Sequence, residues 1–76
     1  MVKEIRYGEH VITKGSKLRV MIGIRIFLLE VNEIDNYGNV ISTDILGNPL
    51  IFRVKNTKFI NILTDEEWEE LKKRYQ

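Results

Sequence analysis

Lys17-Leu18-Arg19-Val20-Met21-Ile22-Gly23-Ile24-Arg25-Ile26-Phe27-Leu28-Leu29-Glu30-Val31 is the stretch whose reading decides the fold. Leu18, Val20, Ile22, Ile24, Ile26 and Leu28 take the even positions, while Lys17, Arg19, Met21, Gly23 and Arg25 take the odd ones. A period of two with one apolar face predicts a half-buried strand. The phase then changes, because Phe27, Leu29 and Val31 are odd. A change of face needs a bulge, a sharp coil or a break in the strand. Gly23 is a second candidate for a bend, since a strand glycine often marks a corner. A long strand that bends and shifts phase is what a small closed barrel requires.

Downstream, Asp35-Asn36-Tyr37-Gly38-Asn39 predicts a hairpin turn, because Asn and Gly supply the positive φ of tight hairpins. Residues 40–46 read as the next strand, with Ile41, Thr43 and Ile45 on one face, and Gly47-Asn48-Pro49 as the next turn. Leu50, Phe52 and Val54 alternate with Ile51, Arg53 and Lys55, and after Asn56-Thr57 a last strand covers residues 59–63. Upstream, residues 2–16 are the least regular part; Val11 and Ile12 suggest one short strand there. Strands spaced at about 8–12 residues with turns between them predict an antiparallel barrel or sandwich. With 76 residues the barrel is favoured, because a sandwich takes about 100.

The C-terminal segment predicts a helix over residues 65–75. Thr64 is a natural N-cap, Glu67 completes a capping box, and Leu63 and Trp68 stand at the positions of a hydrophobic staple. Asp65, Glu66 and Glu67 occupy the first turn and Lys72, Lys73 and Arg74 the last, both matched to the helix dipole. Trp68, Leu71 and Tyr75 form a narrow apolar stripe, expected to cap one end of the barrel. The expected architecture is one mainly β domain over residues 1–76. It has an antiparallel barrel of five to six strands (about 8–63) and one C-terminal α-helix.

Composition narrows the chemistry. There is no alanine, while Ile appears eleven times and Val six, which weights the chain towards sheet. Cysteine is absent, so disulfides, thiolate nucleophiles, zinc ribbons and iron–sulfur clusters are excluded, and a reducing compartment is suggested. His10 is the sole histidine and is expected at the surface. Ser16 and Ser42 lack a nucleophile-elbow context, and Lys14-Gly15-Ser16 has the wrong order for a phosphate loop. No catalysis, metal or other cofactor is expected. The start of the chain lacks the apolar run of a signal peptide, and nothing approaches the roughly 20 apolar residues of a membrane helix. A cytoplasmic protein with no membrane partner is expected, and richness in Lys, Glu and Ile fits a thermophilic source.

Two family resemblances follow from these motifs. Gly8-Glu9-His10-Val11, Val31-Asn32-Glu33-Ile34-Asp35-Asn36-Tyr37-Gly38-Asn39-Val40, Asp44-Ile45-Leu46-Gly47 and Phe59-Ile60-Asn61-Ile62-Leu63 resemble SH3-like small barrels, including KOW-type modules. The resemblance spans residues 8–63 and implies a geometry, not a function. Gly23, Arg25, Phe27, Val31, Ile34-Asp35, Tyr37, Asn39-Val40-Ile41 and Asp44, with Val54-Lys55-Asn56-Thr57-Lys58-Phe59, are also similar in spacing to Sm-like RNA-binding proteins. That likeness would place Asp35, Tyr37, Asn39 and Lys55 near a uridine pocket. Asn56 and Gly38 depart from its pattern, and the helix follows the barrel instead of preceding it.

The function reading rests on charge. Residues 1–63 hold nine bases and six acids, a net +3, whereas residues 64–76 hold five acids and three bases, a net −2. Lys17, Arg19 and Arg25 read as outward on one strand, Arg53 and Lys55 on another, with Lys58 after the turn. If those strands adjoin, the cations form one stripe suited to phosphates. Tyr37 would stack on bases and Asn39 would offer polar contacts. The expectation is a non-enzymatic nucleic-acid-binding barrel, RNA over DNA, of ribosome- or chromatin-associated type. The alternative is a protein–protein adaptor, assembly subunit or homo-oligomer that uses a sheet edge or the C-terminal helix.

Overall fold

Alternation and turn chemistry divide the chain into seven short strands and one helix across residues 4–75, which the computed structural model describes. The order is β1 (Glu4–Tyr7), β2 (His10–Thr13), β3 (Lys17–Ile22), β4 (Arg25–Ile34), β5 (Asn39–Asp44), β6 (Pro49–Arg53), a 3₁₀ turn (Val54–Asn56), β7 (Thr57–Leu63) and α1 (Asp65–Arg74). β1 and β2 form a two-stranded hairpin, and the others form a five-stranded antiparallel sheet in the order β6-β5-β4-β3-β7. The mainly β, antiparallel fold with one C-terminal helix is as the sequence reads. The barrel is not closed: its edge strands β6 and β7 are joined by the 3₁₀ turn and do not pair.

Three expectations about the strands are corrected. The strand count is seven, not five or six, because the irregular N-terminal segment contains a whole hairpin and residues 17–31 contain a second. Both hairpins use a two-residue loop that starts with glycine at positive φ, Gly8 (60°) and Gly23 (62°). That is the requirement of the first central position in a type II′ turn. Ile24 and Ile26, read as inward, are 89% and 51% exposed, since Ile24 occupies the loop and Ile26 the outer face. Lys55, read as part of a strand, sits in the 3₁₀ turn.

The inner face gathers the core. Leu18 and Val20 of β3, Leu29, Val31 and Ile34 of β4, Val40 of β5, Phe52 of β6, Ile60 of β7 and Ile12 of β2 form one buried cluster. Ile5 and Tyr7 pack against it from β1. Ser42 is the buried polar side chain, and its hydroxyl donates to the Leu50 carbonyl (2.7 Å), so burial leaves it satisfied. A register shift between Val31 and Glu33 leaves Asn32 and Glu33 both exposed and turns Ile34 back into the core.

The two turns on either side of β5 are the same device written twice, Asp35-x-x-Gly38-Asn39 and Asp44-x-x-Gly47-Asn48. In each, one Asp carboxylate oxygen accepts the N–H groups two and four residues on, at 2.8–2.9 Å. The other oxygen accepts the Asn side-chain amide, at 2.8 Å in the first turn and 3.3 Å in the second. Each Gly N–H donates to the Asp carbonyl from a positive φ, 83° at Gly38 and 92° at Gly47. Short polar side chains that imitate a backbone turn are why Asp and Asn stand there.

Helix α1 starts on the predicted capping box: the Glu67 N–H donates to Thr64 Oγ1 (3.1 Å) and the Thr64 N–H to Glu67 Oε1 (2.9 Å). It does not cap an end of the barrel. Its start is tied to Lys17 of β3, and its end, at Arg74 and Tyr75, lies beside Ile26 and Leu28 of β4, so it runs along the outer face of β3 and β4. Trp68 is buried, yet outside the inner cluster.

Candidate nucleic-acid interface

The β4–β5 turn carries the predicted aromatic. Register places Asn39 opposite Arg53. The Arg53 Nε donates to Asn39 Oδ1 (3.0 Å) and its Nη2 to the Tyr37 carbonyl (2.7 Å). Asp35, Asn39 and Arg53 thereby lock the turn from inside and from the neighbouring strand. The Asp35 carboxyl is held below its ordinary pKa, first by the Asn39 side-chain amide, then by the Asn39 N–H, with smaller help from the Tyr37 N–H and the Arg53 charge. All of these favour the charged form. The outcome is a fixed loop tip on which the Tyr37 ring stands 78% exposed. Arg53 leads directly into the 3₁₀ turn, where Lys55 is exposed, and Lys58 is exposed at the start of β7. Neither lysine has an acidic partner among the described residues, whose one ion pair is Lys17–Asp65.

Lys17, Arg19 and Arg25 belong to a different side. The Lys17 Nζ donates to Asp65 Oδ1 (3.1 Å) and also faces Glu30 and Glu69. The hydrogen bond to Asp65 raises its pKa above the ordinary value. Arg19 lines a groove of about 710 Å³ between the sheet and α1, facing Glu66, Glu67 and Glu70. The Arg25 guanidinium lies 5.2 Å from the centre of the Phe27 ring, in a shallow depression shared with Asp44, Leu46 and Tyr75. Arg25 is therefore beside the Asp44 end of β5 and Arg53 beside the Asn39 end. Those ends are about 17 Å apart along the strand.

The single basic stripe is thus divided. β3 and β6 do not adjoin, since β4 and β5 lie between them. Arg53 joins Asn39 and Tyr37 at one end of β5, with Lys55 two residues on in the 3₁₀ turn, while Lys58, between Thr57 and Phe59 that pair with Ile22 and Met21, stands by the end of β3. Lys17 and Arg19 face the acids of α1, and Arg25 lies beside Asp44. Asn39 and Arg53 are engaged in building the turn, whereas Tyr37, Lys55 and Lys58 are exposed. Sequence reasoning missed Arg53 as a clamp; its signal was only its place opposite Asn39, which requires the register. It also missed the groove. Among the described residues no group of three His, Asp or Glu side chains converges as a metal would need.

A 65-residue stretch covering 86% of this chain is 32% identical to "Uncharacterized protein 8" of Sulfolobus islandicus filamentous virus (isolate Iceland/Hveragerdi), of which it covers 82%. No family model and no solved structure matches the chain.

Proposed function

We propose that this chain, which belongs to the family of uncharacterized protein 8 of Sulfolobus islandicus filamentous virus, binds single-stranded nucleic acid without catalysis, RNA in preference to DNA. The observation that carries this is an exposed tyrosine on a turn held by Asp35 and Arg53, with Lys55 and Lys58 two and five residues beyond Arg53, both exposed and without acidic partners among the described residues. Lysines neutralise phosphates and release counterions, while a fixed ring offers a stacking platform at low entropic cost. Unstacked RNA bases are the usual target of such platforms. Asn39 and Arg53 act as positioning residues that hold the ring.

The test is fluorescence anisotropy with labelled single-stranded RNA and DNA of about 12 nucleotides across a salt series. Binding weakens linearly in log–log form, and Lys55→Ala plus Lys58→Ala lowers the slope by about 1.4, or 0.7 per lost phosphate contact. Tyr37→Ala costs about 1–3 kcal/mol and leaves the slope unchanged. Absence of binding to either strand at about 50 mM salt overturns the proposal.

A further inference from the structure

Both two-residue hairpin loops begin with glycine, but the second position differs. It is Glu9 in the β1–β2 loop and Ile24 in the β3–β4 loop. That position ordinarily takes a polar residue such as Asn, Asp or Ser. Ile24 has no local reason to be apolar, and it is the most exposed large hydrophobic among the described residues, at 89%. Two residues further on, Ile26 lines the groove beneath α1, together with Leu28, Leu63 and Leu71. The molecule thus carries a protruding apolar knob and an apolar hollow side by side. Tyr75 (52% exposed) lines both this groove and the neighbouring depression that holds Arg25 and Leu46 (63% exposed), which extends the same surface.

We propose that this face joins two copies of the chain in a two-fold dimer, the Ile24 hairpin of each entering the α1 groove of the other. A two-fold axis places one patch against itself, so knob and hollow must lie next to each other on the same surface, as they do here. The charges are self-complementary as well. Arg25 flanks the knob, and the hollow is lined by Glu66, Glu67 and Glu70 against Arg19 and Arg74, an excess of one acid. Docking brings each guanidinium to the partner's hollow, where it matches the excess carboxylate. A stable interface takes about 800 Å² from each partner. That is about one seventh of the 5391 Å² surface, and one broad side of a body with extents 34 × 25 × 24 Å is of that size. Tyr37 and Lys55 do not line this face, while Lys58, whose neighbours Thr57 and Phe59 pair with Ile22 and Met21, is near the Ile24 hairpin. The dimer is argued from the knob and the groove and does not depend on the nucleic-acid reading.

Sedimentation velocity on nuclease-treated protein, over concentrations up to about 1 mM, tests it. The wild-type chain dimerises. Ile24→Asn raises the dissociation constant at least about a hundredfold, since two isoleucines leave the interface, while its circular dichroism stays that of the wild type, because Gly-Asn suits the loop. Arg25→Glu and Glu70→Arg each weaken the dimer, and the double variant restores it. As a second readout, Ile24→Cys combined with Leu71→Cys in this cysteine-free chain cross-links two copies under mild oxidation. A monomer throughout the range, or a dimer as tight in Ile24→Asn as in the wild type, overturns the proposal.

Discussion

Trp68→Ala is expected to free helix α1 while leaving the sheet folded. Trp68 is 4% exposed, yet it lies outside the cluster that fills the inner face. An indole of this kind buries about 150–250 Å², and at about 25 cal/mol per Å² that amounts to 4–6 kcal/mol, an upper bound because unfolded chains already hide part of the area. What else holds α1 is smaller. The Lys17–Asp65 pair has its carboxylate 87% exposed and is worth at most about 1 kcal/mol. The capping box fixes the start of the helix, not its docking, and a ten-residue helix released into water is marginal. The nine residues of the inner cluster form a group to which Trp68 does not belong, and they are expected to keep their packing. Hydrogen exchange followed by NMR reads both parts at once. The amides of residues 68–74 lose their protection, while those of β3, β4 and β5 keep theirs. Equal loss in sheet and helix would show that α1 is integral to the core, and unchanged protection in α1 would show that Trp68 does not dock it. Either result refutes the reasoning.

Three further expectations come from single contacts. Arg53→Ala removes two hydrogen bonds that hold the Tyr37 turn and lowers stability by about 1–3 kcal/mol in urea unfolding; the Tyr37 amide then exchanges faster, whereas the Asp44 turn, which has no arginine, is unaffected. Thr64→Ala breaks the capping box and costs about 1 kcal/mol, seen as faster exchange confined to the first turn of α1. Asp35 has a folded pKa below its ordinary 3.8, so the unfolded chain binds more protons than the folded one between those two values. Its contribution is present above about pH 4 and is lost as pH falls through the folded pKa. Stability–pH curves of the wild type and Asp35→Asn therefore converge at low pH and separate above it.

The parts of the fold that local chemistry determines were legible. Thr64 and Glu67 mark the helix start, and Asp35 and Gly38 mark a turn, because each contact is made within a few residues. The β3–β4 hairpin was hidden because its loop, Gly23-Ile24, closes an apolar run from Val20 with no polar turn residue in it. Its signature was nevertheless present. Partners across a two-residue loop pair an even with an odd position, as Leu18 with Leu29 and Val20 with Phe27, and partners share a face. The change of phase at Phe27 was therefore the hairpin itself, not a bend in one strand. The grouping of cations was not legible. Alternation tells which side of its own strand Arg19 or Arg53 occupies, but strand order decides which of them are neighbours.

Charge and topology together account for where the free cations end up. The sheet part of the chain is basic and the helical part acidic. Laid along the outer face of β3 and β4, α1 brings Asp65 and Glu69 to Lys17, and Glu66, Glu67 and Glu70 to the groove containing Arg19. At these separations, opposite charges cancel each other's field within a Debye length of about 8–10 Å. The Arg53 end of β6 receives no such compensation from α1. Asp35 is enclosed by donors within the turn, and the helix that carries five of the eleven acids lies along β3 and β4, away from the Arg53 end of β6. The formal net charge of +1 is thus a poor guide to this molecule. Docking of α1 sets acids against the cations of β3, whereas Lys55 and Lys58 stay exposed with no ion-pair partner among the described residues.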